Sequence, residues 1–206
     1  TFSAVVLADA FPYIWHKRQL AEEMMRLAGE DGVVLMPHLH SALGDNLSAG
    51  DTLTPAAYHA LFAPMEPRLF SDARIFDDVI ERRVVDLTNQ ASPEEIGTEP
   101  TLTLVATVRA DLFARYELAE ASEVRGELMV NPLYRIERSQ GVSVLTLEFP
   151  TPEYEAEFGE CRRYLPDSVT VEADLTGPIL SETLGSAYLE LREQRILIDA
   201  PVGYGR

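Results

Sequence analysis

The sequence predicts an α/β fold, and three features carry that expectation. Two apolar runs, Val5-Val6-Leu7-Ala8 and Val33-Val34-Leu35-Met36, flank an amphipathic stretch from Trp15 to Leu27. Each run leads into a segment that bears polar groups, Asp9-Ala10-Phe11-Pro12-Tyr13 after the first and Pro37-His38-Leu39-His40-Ser41 after the second. Further on, Thr101 to Val108 alternates threonine with apolar residues, the pattern of a strand. Strand, crossover helix and strand over the first forty or so residues make a βαβ unit, whose strands are expected to be parallel and buried on both faces. In such sheets ligands gather beyond the carboxyl ends of the strands, here at Asp9–Tyr13 and Pro37–Ser41.

The elements follow in order. Trp15, Leu20, Met24 and Leu27 fall on or near one face of the predicted helix, with Lys17, Arg18, Glu22 and Glu23 elsewhere. Gly29 and Gly32 stop it, and Glu23 and Arg26 stand at the spacing of a surface ion pair. Leu43 to Thr54 reads as a loop crowded with Gly, Asp, Asn and Ser. Thr54-Pro55 opens a short helix over Ala56–Phe62, closed by Pro64 and Pro67, and Arg68-Leu69-Phe70 is a short strand. Val84 to Leu87 is strand-like, Ala91 to Pro100 is expected to be an exposed loop, and Thr101 to Val108 is the last strand of the sheet. The stretch between Phe70 and Thr101 is then an insertion in an edge hairpin.

A composition shift near Asp111 divides the chain into 1–110 and 111–206, the second part being an α+β appendage. Leu112 to Ala121 is expected to be helical. Asn131 to Ile136 and Val142 to Phe149 form a hairpin about Ser139-Gln140-Gly141, and Thr151-Pro152 begins an acidic helix that ends by Tyr164-Leu165-Pro166. Val169–Val171 is strand, Ser181–Arg192 helix and Arg195–Ile198 strand.

Composition narrows the function. With 34 acids against 17 bases the net charge is −17, which argues against nucleic acid and anionic membranes as partners. No apolar run approaches the roughly twenty residues of a membrane span. Cys161 is the single cysteine, so no intrachain disulfide forms and a reduced, cytoplasmic setting is expected. Its arginine neighbours could lower its pKa, although a packing role is the commoner one for such a residue.

Asp9-Ala10-Phe11-Pro12-Tyr13-Ile14, Glu23-Met24-Met25-Arg26 and Asp31-Gly32-Val33-Val34-Leu35 together resemble the second half of a class I S-adenosylmethionine-dependent methyltransferase. The likeness is specific over residues 4–42, looser to about 109 and weak beyond. In that family the fourth strand ends in an acidic or polar residue followed by aromatic and His-type residues near the reacting methyl. The next helix carries Glu-x-x-Arg, and a Gly-rich turn enters the fifth strand. The resemblance implies the later strands of a Rossmann-like sheet, parallel with an antiparallel edge. It further implies S-adenosyl-L-methionine as cofactor and a small-molecule methyl acceptor as partner. The family's glycine-rich cofactor loop has no counterpart here and is expected upstream of residue 1, where most of the cofactor-binding residues would lie.

Two constellations could carry chemistry. Asp9 is a candidate base, and Phe11, Pro12 and Tyr13 are candidate substrate-binding residues, since ring faces attract a methyl-sulfonium cation. The structural alternative has Asp9 capping the turn and the rings packed beneath the helix; with the resemblance the two readings stand level. His38 and His40, at i and i+2, share one side of a continuing strand and are candidate catalytic residues, as general base or substrate contact. A metal held by the pair needs a third ligand that the sequence does not place, so no metal is assigned. The acids Glu153, Glu155, Glu157 and Glu160 read as a solvated face. The alternative function is a non-catalytic interaction module built on a methyltransferase fold, and a homodimer is a candidate assembly.

Overall fold

The computed structural model describes residues 2–45, 50–119, 126–173, 175, 179 and 187–203. Two compact units divide the chain, Thr1–Ala119 and Glu120–Arg206. No helix among the described residues is long and apolar enough to cross a membrane.

The first unit is a mixed α/β layer structure around a four-stranded sheet. Strand β1 (Ala4–Val6) leads through a 3₁₀ turn at Phe11–Tyr13 to helix α1 (Lys17–Ala28), and β2 (Val33–His40) returns parallel to β1, Ala4 opposite Val33 and Val6 opposite Leu35. Helix α2 (Pro55–Leu61) begins where Thr54 accepts a hydrogen bond from Ala57 N, with Pro55 at its first position. Then come β3 (Arg68–Ser71), α3 (Asp72–Asp77), β4 (Val84–Asp86), α4 (Pro93–Ile96) and β5 (Thr101–Ala106). The order across the sheet is β1-β2-β5-β3, with β5 antiparallel to both neighbours.

The expected βαβ unit, edge hairpin and insertion between Phe70 and Thr101 are all present, with three differences. The antiparallel strand lies one place inside the edge, because β5 is buried along both faces and suits an interior position, while β3 takes the rim. β1 is not buried on both faces: it is a short edge strand with Ala4 and Val6 exposed. Ala91–Pro100 is not an exposed loop, for Ser92 and Glu95 form a reciprocal capping box that starts α4 and buries Ile96.

Helix α1 also turns a different face inward. Lys17, Ala21, Met24 and Ala28 are buried, Leu20 and Leu27 only partly, and Trp15 precedes the helix at 76% exposure. The two alanines let the helix sit close on Val34, Met36, Leu104 and Ala106 of the sheet, and Phe11, Tyr58, Phe62 and Leu102 complete this core. Gly29 ends the helix at φ 72°, and a Cβ on Gly32 would collide with the Ala28 carbonyl. Glu23 and Arg26 pair through two hydrogen bonds of 2.6 and 2.7 Å on the surface.

Residues 112–119 are not helical. A 3₁₀ turn at Ala110–Leu112 gives way to β6 (Arg115–Glu117), which pairs antiparallel with β4 and so ties this stretch to the first unit. That pairing moves the division from 110/111 to 119/120; residues 120 and 121 lie outside the described residues.

The second unit has its own core and two small sheets. β7 (Glu127–Val130), β8 (Tyr134–Ser139), β9 (Val142–Leu147), α5 (Pro152–Phe158), β10 (Ser168–Val171), α6 (Ala187–Glu193) and β11 (Leu197–Ala200) follow in order. The predicted hairpin is β8/β9, turned at Gln140 (φ 51°) and Gly141 (φ 83°). β10 adds to β9, and β11 pairs with β7, a strand the periodicity did not announce. Thr151 caps α5 and its acids are exposed. The predicted helix over 181–192 is described only from Ala187. Cys161 packs on this core, and burial pushes its thiol up, with Arg162 pulling the other way.

Candidate functional site

The parallel pair delivers its carboxyl ends to one place. Beyond β1 the chain stays beside β2 through Leu7 N to Leu35 O (3.0 Å) and a long Asp9 N to Pro37 O contact (3.5 Å). Pro37 brings no N–H to the β2/β5 ladder, and proline inside a sheet is tolerated at edges and bulges. A bulge forms there: Met36 faces Leu104 and Leu39 faces Leu102, so Pro37 and His38 together oppose Thr103 alone. The extra residue resets the alternation. Val34, Met36 and Leu39 all enter the core, and His38 adopts a left-handed φ of 56°.

Asp9 turns left-handed as well, at φ 49°. Aspartate and histidine tolerate this region better than most residues, yet each such conformation costs energy, and strain of this kind concentrates at functional sites. The two bends bring three side chains together. His40 Nε2 lies 3.1 Å from Asp9 Oδ1, and the His38 and His40 rings meet edge to face with centroids 5.2 Å apart. The contact selects the His40 tautomer that carries its proton on Nε2 and donates it to the carboxylate. Asp9 is 53% exposed at its side chain while that of His40 is 5% exposed, so the carboxylate is the face the pair shows to solvent.

Neighbouring elements hold the group. Tyr58, fully buried on α2, donates from its hydroxyl to His40 O (2.9 Å) and accepts from Leu53 N (3.2 Å). Burial pushes its phenol above the ordinary tyrosine range, opposed by the Leu53 N–H. Lys17 Nζ, buried at the start of α1, donates to the carbonyls of Phe11 (3.4 Å), Pro12 (3.3 Å) and Ile14 (3.0 Å) and pairs with Asp51 at 3.7 Å. Gly50 lies so close to this turn that a Cβ would come within 2.6 Å of Pro12 Cβ and 2.7 Å of its carbonyl carbon. Asp72 sits behind His38, with Oδ2 3.4 Å from Nδ1, and its other oxygen accepts a 2.6 Å bond from the Thr103 hydroxyl.

Of the sequence candidates, Asp9, His38 and His40 converge. Phe11 does not join them, for its ring is fully buried against Tyr58 and Phe62, and Pro12 is buried under Gly50. Both act as packing residues, since the Lys17-clamped turn drives the Phe11 ring inward. Tyr13 and Trp15 remain exposed on the surface. Sequence reasoning missed Asp72, Thr103, Tyr58 and Lys17. Asp72 and Thr103 reach the site only through the β3/β5 pairing, and a lysine on a predicted helix reads as a solvent-facing residue. Two surface hollows, one beside Met25, Pro64, Met65 and Val108 and the other around His59, Arg68 and Gln90, include none of the three convergent residues. No family model, curated protein or solved structure matches the chain.

Proposed function

We propose that the first unit forms the acceptor side of an S-adenosylmethionine-dependent methyltransferase acting on a small molecule. The observation that carries the reading is the Asp9–His40 hydrogen bond at the carboxyl end of a parallel strand pair, where ligands of open α/β sheets bind. The cofactor, when bound, supplies a methyl group on a positively charged sulfur. A half-exposed carboxylate, with exposed Tyr13 and Trp15 on the turn that follows it, is chemistry that suits such a cation. Asp9 takes the proton of the acceptor hydroxyl or amine. His40, donating to the same carboxylate, fixes its orientation.

The test is S-adenosylhomocysteine titrated calorimetrically into the 206-residue chain and into the protein expressed from its whole reading frame. Binding by the whole protein is expected. In the whole protein Asp9→Asn should lower the turnover of an accepted substrate by roughly 10²–10⁴-fold with cofactor affinity little changed. Full turnover by the Asn variant would remove Asp9 from the chemistry. Binding by neither form leaves the interaction-module alternative.

A further inference from the structure

We propose that Asp9, His38 and His40 hold a divalent first-row transition-metal ion, with zinc the natural occupant. One carboxylate oxygen and one nitrogen from each imidazole lie within 4.8 Å of one another, and His40 Nε2 and Asp9 Oδ1 are 3.1 Å apart. Donors at about 2.0–2.1 Å from a tetrahedral zinc stand roughly 3.3 Å from each other. One pair is thus already at ligand spacing, and the ion would take the place of the proton that His40 Nε2 otherwise donates to Asp9.

Donor chemistry narrows the ion. Calcium and magnesium take oxygen ligands, whereas two imidazoles and a carboxylate suit zinc or iron(II) and leave coordination positions open. An ion held by three protein donors would keep coordination positions for oxygen donors of a substrate, a hydroxyl or an enolate.

Two further observations point the same way. Two of the three donors, Asp9 and His38, sit on left-handed backbone, at φ 49° and 56°, strain of the kind that concentrates at functional sites. Asp72 Oδ2 stands 3.4 Å from His38 Nδ1, an ion-pair contact and not a hydrogen bond, and the Thr103 hydroxyl holds Asp72 where it could orient a metal-ligating imidazole.

The ion would sit at the proposed methyl-transfer site, yet the inference does not rest on that reading. It is tested without cofactor or acceptor. The chelator-treated full chain is titrated with Zn²⁺ by calorimetry in excess Mg²⁺, which occupies the acidic surface, and with Co²⁺ followed by visible absorption. The expected result is one tight equivalent and a Co²⁺ spectrum of low-coordinate nitrogen–oxygen ligation. Asp9→Asn and His38→Ala, both at partly exposed positions, should each weaken binding by at least about tenfold with circular dichroism unchanged, and Asp72→Asn by roughly 10–100-fold. Parent-like affinity in the Asp9 and His38 variants, or no equivalent that survives the Mg²⁺ excess, overturns the proposal and leaves an adventitious ion only. Zinc binding without binding of S-adenosylhomocysteine by the whole protein keeps the metal site and removes the methyl-transfer reading; the reverse result removes the metal alone.

Discussion

The Tyr58 hydroxyl bears on the site more than its distance from solvent suggests. It donates to the carbonyl of His40 and accepts from Leu53 N, so one oxygen ties the end of β2 to the loop that enters α2. Removing it leaves a buried carbonyl and an N–H without their partner, and such losses cost about 1–3 kcal/mol. Tyr58→Phe keeps the ring against Phe11 and therefore isolates the hydroxyl. Its unfolding free energy should fall by that amount, seen as a lower urea midpoint at unchanged slope, and zinc affinity should fall with it as His40 loses its backbone anchor. Parent-like stability would mean that the two bonds are replaced by solvent and contribute nothing net.

At the scale of elements, what the sequence revealed and what it hid have physical causes. The βαβ unit, the Thr54 and Thr151 caps and the β8/β9 hairpin were legible because each is specified locally, by periodicity, a capping hydroxyl or a Gly turn. The bulge at Pro37–His38 was not, because it depends on which residues of β5 stand opposite, and that register is a tertiary fact. Asp9 and His38 were therefore nameable as candidates, while their convergence and the support of Asp72 and Thr103 were not. Helix α4 is a different case. Its signature, Ser92-Pro93-Glu94-Glu95, was in plain view, but it is one turn long and was outweighed by neighbouring Pro and Gly. Ser92→Ala should destabilise the first unit by about 0.5–2 kcal/mol in thermal or urea unfolding. The cap also carries a pH signature. The Ser92 N–H, then its hydroxyl, hold the Glu95 carboxyl below the usual range. That contribution is present above the unfolded pKa and is lost as pH falls through the folded one. An Ala variant keeps the backbone N–H, the larger cause, and should lose only the smaller part of this acid sensitivity that the hydroxyl supplies.

At the scale of the whole molecule, the two units own separate sheets and separate cores, and among the described residues no strand is shared between them. Each is large enough to fold alone, so residues 1–119 and 120–206 produced as separate polypeptides should each melt cooperatively. Aggregation or a featureless melt of either piece would show that the units depend on each other. The second unit offers a sharper check through Tyr134, whose hydroxyl donates to Pro166 O at 2.7 Å. Burial, then the neighbouring charges of Asp167 and Cys161, push its phenol up to about 12 from an ordinary value of 10.0. The folded state therefore keeps a proton that the unfolded chain gives up first. Stability from this group is complete below pH 10.0 and declines as pH rises toward about 12. Urea midpoints of the 120–206 polypeptide should fall across that window, and Tyr134→Phe should flatten the decline while sacrificing the bond to Pro166. An equally steep decline in the Phe variant would assign the alkaline sensitivity to other groups and detach Tyr134 from it.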